Sequence, residues 1–277
     1  MSPTVRDWVE REQGAPITRV RRLAGASTSA VHMVWLADGR RAVLRRYVWP
    51  GFLDAEPDAP RREAESLRLA GTHDLPVPAV LASDPDGSVT GDGVPALLMT
   101  VVPGRAVGVP DLHRLAEAAA AIHAVDAAAL GHEYSRWHVA DTTGPPTGAA
   151  DAALWERAVE LWGTAMPRYR PAFVHRDFHP GNVLWSRGRA GVVDWANACR
   201  GPSGCDVAHC RDNLLRLAGQ EAADRFLSAY QSLTGETLDP YWEVASVLEH
   251  SPTYWTPERI RRSERRLRAA VEAYGTH

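Results

Sequence analysis

The sequence predicts an α+β protein, with a small antiparallel β-sheet and one packing helix in an N-terminal lobe and a larger, mainly helical C-terminal lobe. Three observations carry this. β-rich runs with a hairpin turn signal crowd residues 17–47, alanine-rich helical stretches dominate beyond residue 104, and an acid, an amide and a second acid recur at fixed spacing between residues 175 and 194.

Residues 1–15 read as a short amphipathic helix with Val5, Trp8 and Val9 on one side, stopped by Gly14-Ala15-Pro16. Strands follow at Ile17–Leu23, Val31–Leu36 and Arg41–Tyr47, the last two joined by Ala37-Asp38-Gly39-Arg40. The small-residue run 24–30, including Ser27, Thr28 and Ser29, offers backbone N–H groups and hydroxyls to phosphates, although it is not G-x-G-x-x-G. Side chains alternate on a strand, so Arg45 shares a face with Val43, while Arg46 reads as a surface arginine. After a Pro-rich connection, Arg61–Ala70 is helical, with Glu63 the first candidate and Glu65 the second to hold Arg45. Further strands are expected at Val77–Leu81 and Ala96–Thr100. A turn at 101–104 is the hinge between residues 1–100 and residues 105–277. Helices are then expected at Asp111–Leu130, Asp151–Trp162, Gln220–Leu233, Pro240–His250 and Pro257–Tyr274, and an exposed insertion loop at His132–Ala150.

The stretch His175-Arg176-Asp177-Phe178-His179-Pro180-Gly181-Asn182, followed by Val192-Val193-Asp194, fits the catalytic loop H-R-D-x-x-x-x-N and its later metal-binding acid. In that template the first Asp orients the attacking hydroxyl, Asn holds Mg²⁺, and the second Asp bridges metal and phosphates. Phe173-Val174 runs in as a buried strand and Val183–Trp185 runs out. Ser186–Arg189 turns into a strand over Gly191–Val193, so Asp194 emerges at a strand end. Asp, Asn and Gly also populate ordinary turns, but this motif constrains more positions than turn chemistry needs. A zinc pair at His175 and His179 is disfavoured by Pro180-Gly181 and by the absent Glu of H-E-x-x-H. Cys199, Cys205, His209 and Cys210 match no C-x₂-C spacing and read as buried thiols.

Composition narrows the field. The 277 residues are 45% hydrophobic, enough for a packed core, and a net charge of -3 with pI near 6.4 argues against a nucleic-acid partner. No uninterrupted apolar span of membrane length occurs, and three cysteines make no disulfide framework, so a cytoplasmic protein with no membrane partner is expected. All 31 basic side chains counted as Lys plus Arg are arginines, so any phosphate-binding side-chain cation other than histidine must be Arg. Arg259–Arg268 reads as the solvated face of a terminal helix.

Over residues 17–250 the chain resembles the aminoglycoside phosphotransferase family, relatives of protein kinases that phosphorylate small molecules. The catalytic-loop motif, Val193-Asp194-Trp195 and the hinge-like Leu97–Gly104 carry the likeness. The resemblance implies a bilobal protein-kinase-like fold that transfers a phosphoryl group from ATP, or GTP, with Mg²⁺, to a small-molecule hydroxyl. It makes Asp177 the catalytic carboxylate, Asn182 and Asp194 the metal ligands, and Arg45 the cation on the phosphates with Glu63 as partner. Ser27, Thr28 and Ser29 would cover the phosphates. Thr100 would offer its carbonyl and Val102 its N–H to the base, with Met99 behind it.

The chain departs from the family at Arg45, where lysine is usual, and at Arg176, where Gly is common. Trp195-Ala196 stands where protein kinases have Phe-Gly, and A-P-E is missing, which argues against protein substrates. The implied acceptor is an antibiotic, aminoglycoside-type first, with macrolides and cyclic peptides next. Asp239, Glu243 and Glu249 are candidates to attract a polycation, beside Tyr241, Trp242, Tyr254 and Trp255. Alternatives are a metabolic kinase acting on choline, homoserine or a sugar, and an inactive nucleotide-binding regulator. A hydrolase lacks its G-x-S-x-G elbow. Asp206 reads as a helix N-cap and His123 as a core hydrogen-bonding residue.

Overall fold

A computed structural model describes residues 1–25, 29–137, 144–249 and 255–275. The chain folds as two compact units, Met1–Ala106 with Asn182–Cys199, and Val107–Gly181 with Arg200–His277.

The first unit is built on an antiparallel sheet ordered β1-β2-β3-β5-β4, from β1 (Ile17–Arg22), β2 (Ala30–Leu36), β3 (Arg41–Arg46), β4 (Val80–Asp84) and β5 (Ala96–Thr100). Helix α1 (Pro3–Gln13) lays Val5, Trp8 and Val9 on one face, against Val34, Leu36, Ala42, Leu44 and Leu98. Alternation therefore turns Val43 and Arg45 to the opposite face. The sequence missed α2 (Pro50–Ala55), which buries no side chain, and placed β4 too early, because Pro76 and Pro78 delay the strand until Val80. Helix α3 (Ala59–Thr72) buries Glu63, Ala64, Leu67 and Ala70. In the same unit β7 (Val183–Ser186) and β8 (Arg189–Val192) form a hairpin. Gly104, at φ 122, lies so close to Trp185 that an added Cβ would sit 2.7 Å from its carbonyl oxygen. Arg105 and Trp185 exchange backbone hydrogen bonds there, fastening the segment after β5 to the hairpin.

In the second unit β6 (Pro171–Val174) pairs with β9 (Cys199–Pro202), amid α4 (Leu112–His123), α5 (Ala152–Gly163), α6 (Ser203–Ala218), α7 (Gln220–Thr234), α8 (Pro240–Leu248) and α9 (Pro257–Tyr274). Asp111, Asp151, Asp239 and Thr256 cap the helices that follow them, each accepting backbone N–H groups. Helix α4 ends at His123, seven residues short of the expected Leu130. A helix capped by Asp206 was expected here, but α6 begins earlier, at Ser203. Its buried face includes Asp206 and Asp212, which hides its apolar period.

Three other expectations are corrected. Arg46 is not a surface residue: it is 8% exposed and bonds Asp92 and the carbonyl of Val94. The segment 132–150 is not exposed throughout: Glu133, its own side chain exposed, bridges Arg200 in the manner of a strand and Tyr134 is buried, while Pro145, Thr147, Gly148 and Ala150 are exposed as expected; residues 138–143 lie outside the described residues. Helix α9 is not simply solvated. Arg266 is buried against Asp212 and Glu243, and Glu264 accepts from the N–H groups of Ala150 and Asp151 and from the Trp155 indole. No described helix is long and apolar enough to cross a membrane.

Candidate active site

In the first unit, the sheet face opposite α1 presents Arg45. Its Nη1 donates to Oε1 of Glu63 at 3.1 Å and to Oδ1 of Asp194 at 2.6 Å, and its guanidinium carbon lies 5.2 Å from the Tyr47 ring centroid. The Tyr47 hydroxyl donates to the second oxygen of Glu63, a partner the sequence did not suggest. Arg45 and Glu63 are buried, at 5% and 1% exposure. Burial alone would disfavour the Arg45 charge, but Glu63 and Asp194 more than offset it and raise its pKa. The same burial pushes the Glu63 carboxyl up, while Arg45 opposes that shift. The expected pair is thus formed, and it extends to Asp194.

Asp194 occupies the left-handed region at φ 70. Non-glycine residues rarely hold that conformation unless their surroundings enforce it, and such strain concentrates at functional sites. Here the enforcing contacts are the Arg45 ion pair and the buried indole of Trp195, whose Nε1 donates to the Val192 carbonyl. The β7–β8 register pairs Val183 with Val192, and the Val193 N–H donates to the Asn182 carbonyl at 3.0 Å. Asn182 and Asp194 therefore flank the open end of one hairpin. A carboxylate and an amide are hard oxygen donors of the kind Mg²⁺ takes, and Asp194 keeps its side chain 38% exposed, so this pair fits a divalent cation.

Of the other nucleotide-site candidates, Ser29 is 2% exposed, with a hydroxyl that bonds nothing among the described residues; Ser27 and Thr28 lie outside those residues. Met99 is buried on β5 opposite Val43. Thr100 exchanges hydrogen bonds with Ala79, accepting its N–H on Oγ1 and donating its own N–H to the Ala79 carbonyl. Val102 packs over Gly191, where an added Cβ would meet its Cγ1 at 2.4 Å.

In the second unit, β6 delivers the loop that holds Asp177. Its carboxylate Oδ1 lies 3.1 Å from Nε2 of His209 on α6 and 3.8 Å from Nε2 of His179. The His179 Nδ1 accepts the Gly181 N–H, which leaves its proton on Nε2, toward Asp177. Burial opposes ionisation of Asp177, but the hydrogen bond and charge of His209, with His179 and His175, hold its carboxyl well below the usual carboxylate range. His209 moves the other way. Burial lowers its proton affinity, and Asp177, Asp212 and Asp206 raise it by more.

The loop backbone is anchored from the same helix. Fully buried Asp206 accepts the N–H groups of His175 and Arg176, each at 2.7 Å, and pairs with His123 at 3.1 Å. It is therefore not the N-cap of α6, a position held by Pro202, but a clamp on the candidate catalytic loop. The expected core hydrogen bond of His123 is present, to Asp206 and to the Tyr230 hydroxyl at 2.7 Å. Arg176, at φ 68, sits in the left-handed region, which explains why Gly suits this place. Its side chain holds it there by pairing with Glu249, donating to the Ser135 carbonyl and stacking 3.9 Å from the Trp137 centroid. His209 was the residue the sequence reading passed over as a bystander to a cysteine cluster. Its position three after Asp206 puts both on one helix face and was the available signal.

The three carboxylates considered for a polycation are all engaged. Asp239 caps α8, Glu243 is locked between Arg211 and Arg266, and Glu249 bonds Arg176 and the Tyr134 hydroxyl. Tyr241 and Trp242 are buried, Trp255 packs edge-on against Trp155, and Tyr254 lies outside the described residues.

An antiparallel sheet bearing a buried cation–carboxylate pair, with a strained aspartate after a hairpin and a separately clamped H-R-D-type loop, is the arrangement of a protein-kinase-like fold. The chain belongs to the phosphotransferase enzyme family, whose family model matches residues 19–248. Among solved structures it is similar over 98% of its length to 99% of aminoglycoside phosphotransferase APH(4)-Ia, at 19% identity and a TM-score of 0.66. It is also similar over 95% of its length to 96% of macrolide 2'-phosphotransferase MphH from Brachybacterium faecium, at 20% identity and a TM-score of 0.60. Two N-acetylmuramate/N-acetylglucosamine kinases are similar in sequence. That of Pseudomonas aeruginosa is 28% identical over 65% of this chain and 53% of its own length, and that of Neisseria meningitidis 29% over 40% and 30%. The chain thus spans about half or less of the length of these curated relatives.

Proposed function

We propose that this chain transfers the γ-phosphoryl group of ATP to a hydroxyl of a neutral or anionic sugar of the N-acetylated amino-sugar type. The observation that carries the acceptor choice is the engagement of Asp239, Glu243 and Glu249 in caps and ion pairs, which leaves none of them to receive a polycationic aminoglycoside. The names of the two curated relatives support the same choice.

Asp177 orients the acceptor hydroxyl and takes its proton late, as the bond to phosphorus forms. Arg45, held by Glu63, neutralises phosphate charge, and the Ser29 hydroxyl donates to it. Thr100 and Val102 bind the base with Met99 behind. Asn182 and Asp194 hold Mg²⁺, which when bound supplies further charge neutralisation on the phosphates. Catalysis then comes from positioning and electrostatics, because the loose transition state needs little covalent help.

The test is ADP release and phosphorylated product, measured with Mg-ATP against N-acetylglucosamine, N-acetylmuramate, hygromycin B and a macrolide. Turnover with an amino sugar and none with hygromycin B is expected. The opposite preference would overturn the acceptor assignment.

A further inference from the structure

We propose that His209 is a positioning residue for Asp177, donating its Nε2 proton to Oδ1 and so fixing the orientation of the carboxylate toward the acceptor hydroxyl. This rests on the reading of Asp177 as the catalytic carboxylate and adds to it a residue outside the catalytic-loop motif.

The geometry selects His209 over its neighbour. At 3.1 Å its Nε2 is within hydrogen-bonding range of Oδ1, whereas that of His179 at 3.8 Å is beyond it. Asn213 lies beside His209 from the next turn, its Nδ2 donating to the His209 carbonyl at 3.1 Å and standing 3.3 Å from Nε2, farther than Asp177 Oδ1. Helix α6 thereby fixes the loop twice, its backbone through Asp206 and its reactive carboxylate through His209, one turn further on. The side chains of His209 and Asp177 keep 20% and 32% exposure, so the pair is not merely the forced satisfaction of two sealed polar groups.

Among the described residues, Asp177 from the loop and Asp212 and Asp206 from its own helix favour protonation of His209, and the titratable His179 ring faces it edge-on with centroids 5.8 Å apart; Asp212 is itself paired with Arg266 and lies 3.9 Å from Arg259. A protonated His209 lowers the proton affinity of Asp177, which suits a carboxylate that orients the hydroxyl first and accepts its proton only late. In the transfer, the acceptor oxygen bonds the γ-phosphorus, the β,γ-bridging P–O bond breaks with its electrons leaving on ADP, and the hydroxyl proton passes to Asp177. His209 exchanges no proton.

Two measurements test this. In the first, NMR titration of the His209 ring should place it above the ordinary value of about 6.5, and Asp177→Asn should reduce its proton affinity about tenfold or more. In the second, His209→Phe should lower kcat about tenfold or more without changing ATP affinity, and His209→Gln, which keeps an amide donor at similar reach, should restore most of it. A His209 titration unmoved by Asp177→Asn, or wild-type turnover in His209→Phe, would overturn the proposal. Wild-type turnover in Asp177→Asn would instead remove the catalytic reading of Asp177. The titration needs only the wild type and Asp177→Asn, so it decides even if His209→Phe does not fold.

Discussion

Arg45 on β3 and Asp194 after β8 are joined by a 2.6 Å ion pair, although 149 positions separate them in sequence. The same guanidinium holds Glu63, so one strand arginine organises the helix carboxylate and the candidate metal ligand together. Removing it leaves the buried Glu63 carboxylate with the Tyr47 hydroxyl but without its counter-charge. Arg45→Met should therefore cost roughly 3–5 kcal/mol of stability. Arg45→Met with Glu63→Gln should cost less than the sum of the single changes. Urea denaturation of the four proteins checks this, and strict additivity would show that the pair is not energetically coupled.

Asp206 supplies a pH-dependent clamp. Burial raises its carboxyl pKa, but His123, His175 and the loop N–H groups outweigh burial and leave it below the ordinary value. A depressed folded-state pKa contributes stability above the unfolded value of about 3.9 and loses it as pH falls through the folded one. Asp206→Asn should thus be clearly less stable than wild type near pH 7, with the gap closing as pH drops below about 4. Urea midpoints across that range test it, and a gap independent of pH would contradict the assignment.

Arg176 tests strain against side-chain anchoring. Replacement by Gly relieves the left-handed backbone but loses the buried Glu249 pair and the stacking on Trp137 and Tyr134. Replacement by Ala loses the same contacts and keeps the strain. Stability should fall in the order wild type, Arg176→Gly, Arg176→Ala, with the last two separated by about 1 kcal/mol. Thermal unfolding reads the order directly.

Glu243 bears on the acceptor. Locked between Arg211 and Arg266, it belongs to the packing of α6, α8 and α9. Glu243→Gln should lower the melting temperature while leaving the KM for the acceptor within about twofold of wild type. A large rise in KM with unchanged stability would return Glu243 to the acceptor site.

The sequence was most legible where periodicity and spacing speak for themselves. The alternation of Val43, Leu44 and Arg45 placed the buried arginine, and the single-face pattern of Val5, Trp8 and Val9 placed α1. The extent of helix α6 was not legible, and its start was placed at Asp206, because Asp206 and Asp212 occupy its buried face, so function overwrote the apolar period from which helices are read. The same physics misled the reading of Arg46, Glu249 and Arg266. A charged residue looks solvated until its partner, distant in sequence, is known, and those partners are Asp92, Arg176 and Asp212.

The most direct test of the account compares wild type and Asp177→Asn in Mg-ATP turnover with N-acetylglucosamine or N-acetylmuramate, alongside nucleotide affinity measured by calorimetry. A fall in kcat of about a hundredfold or more, with nucleotide affinity nearly unchanged, is predicted. Turnover by Asp177→Asn at close to the wild-type rate would contradict it.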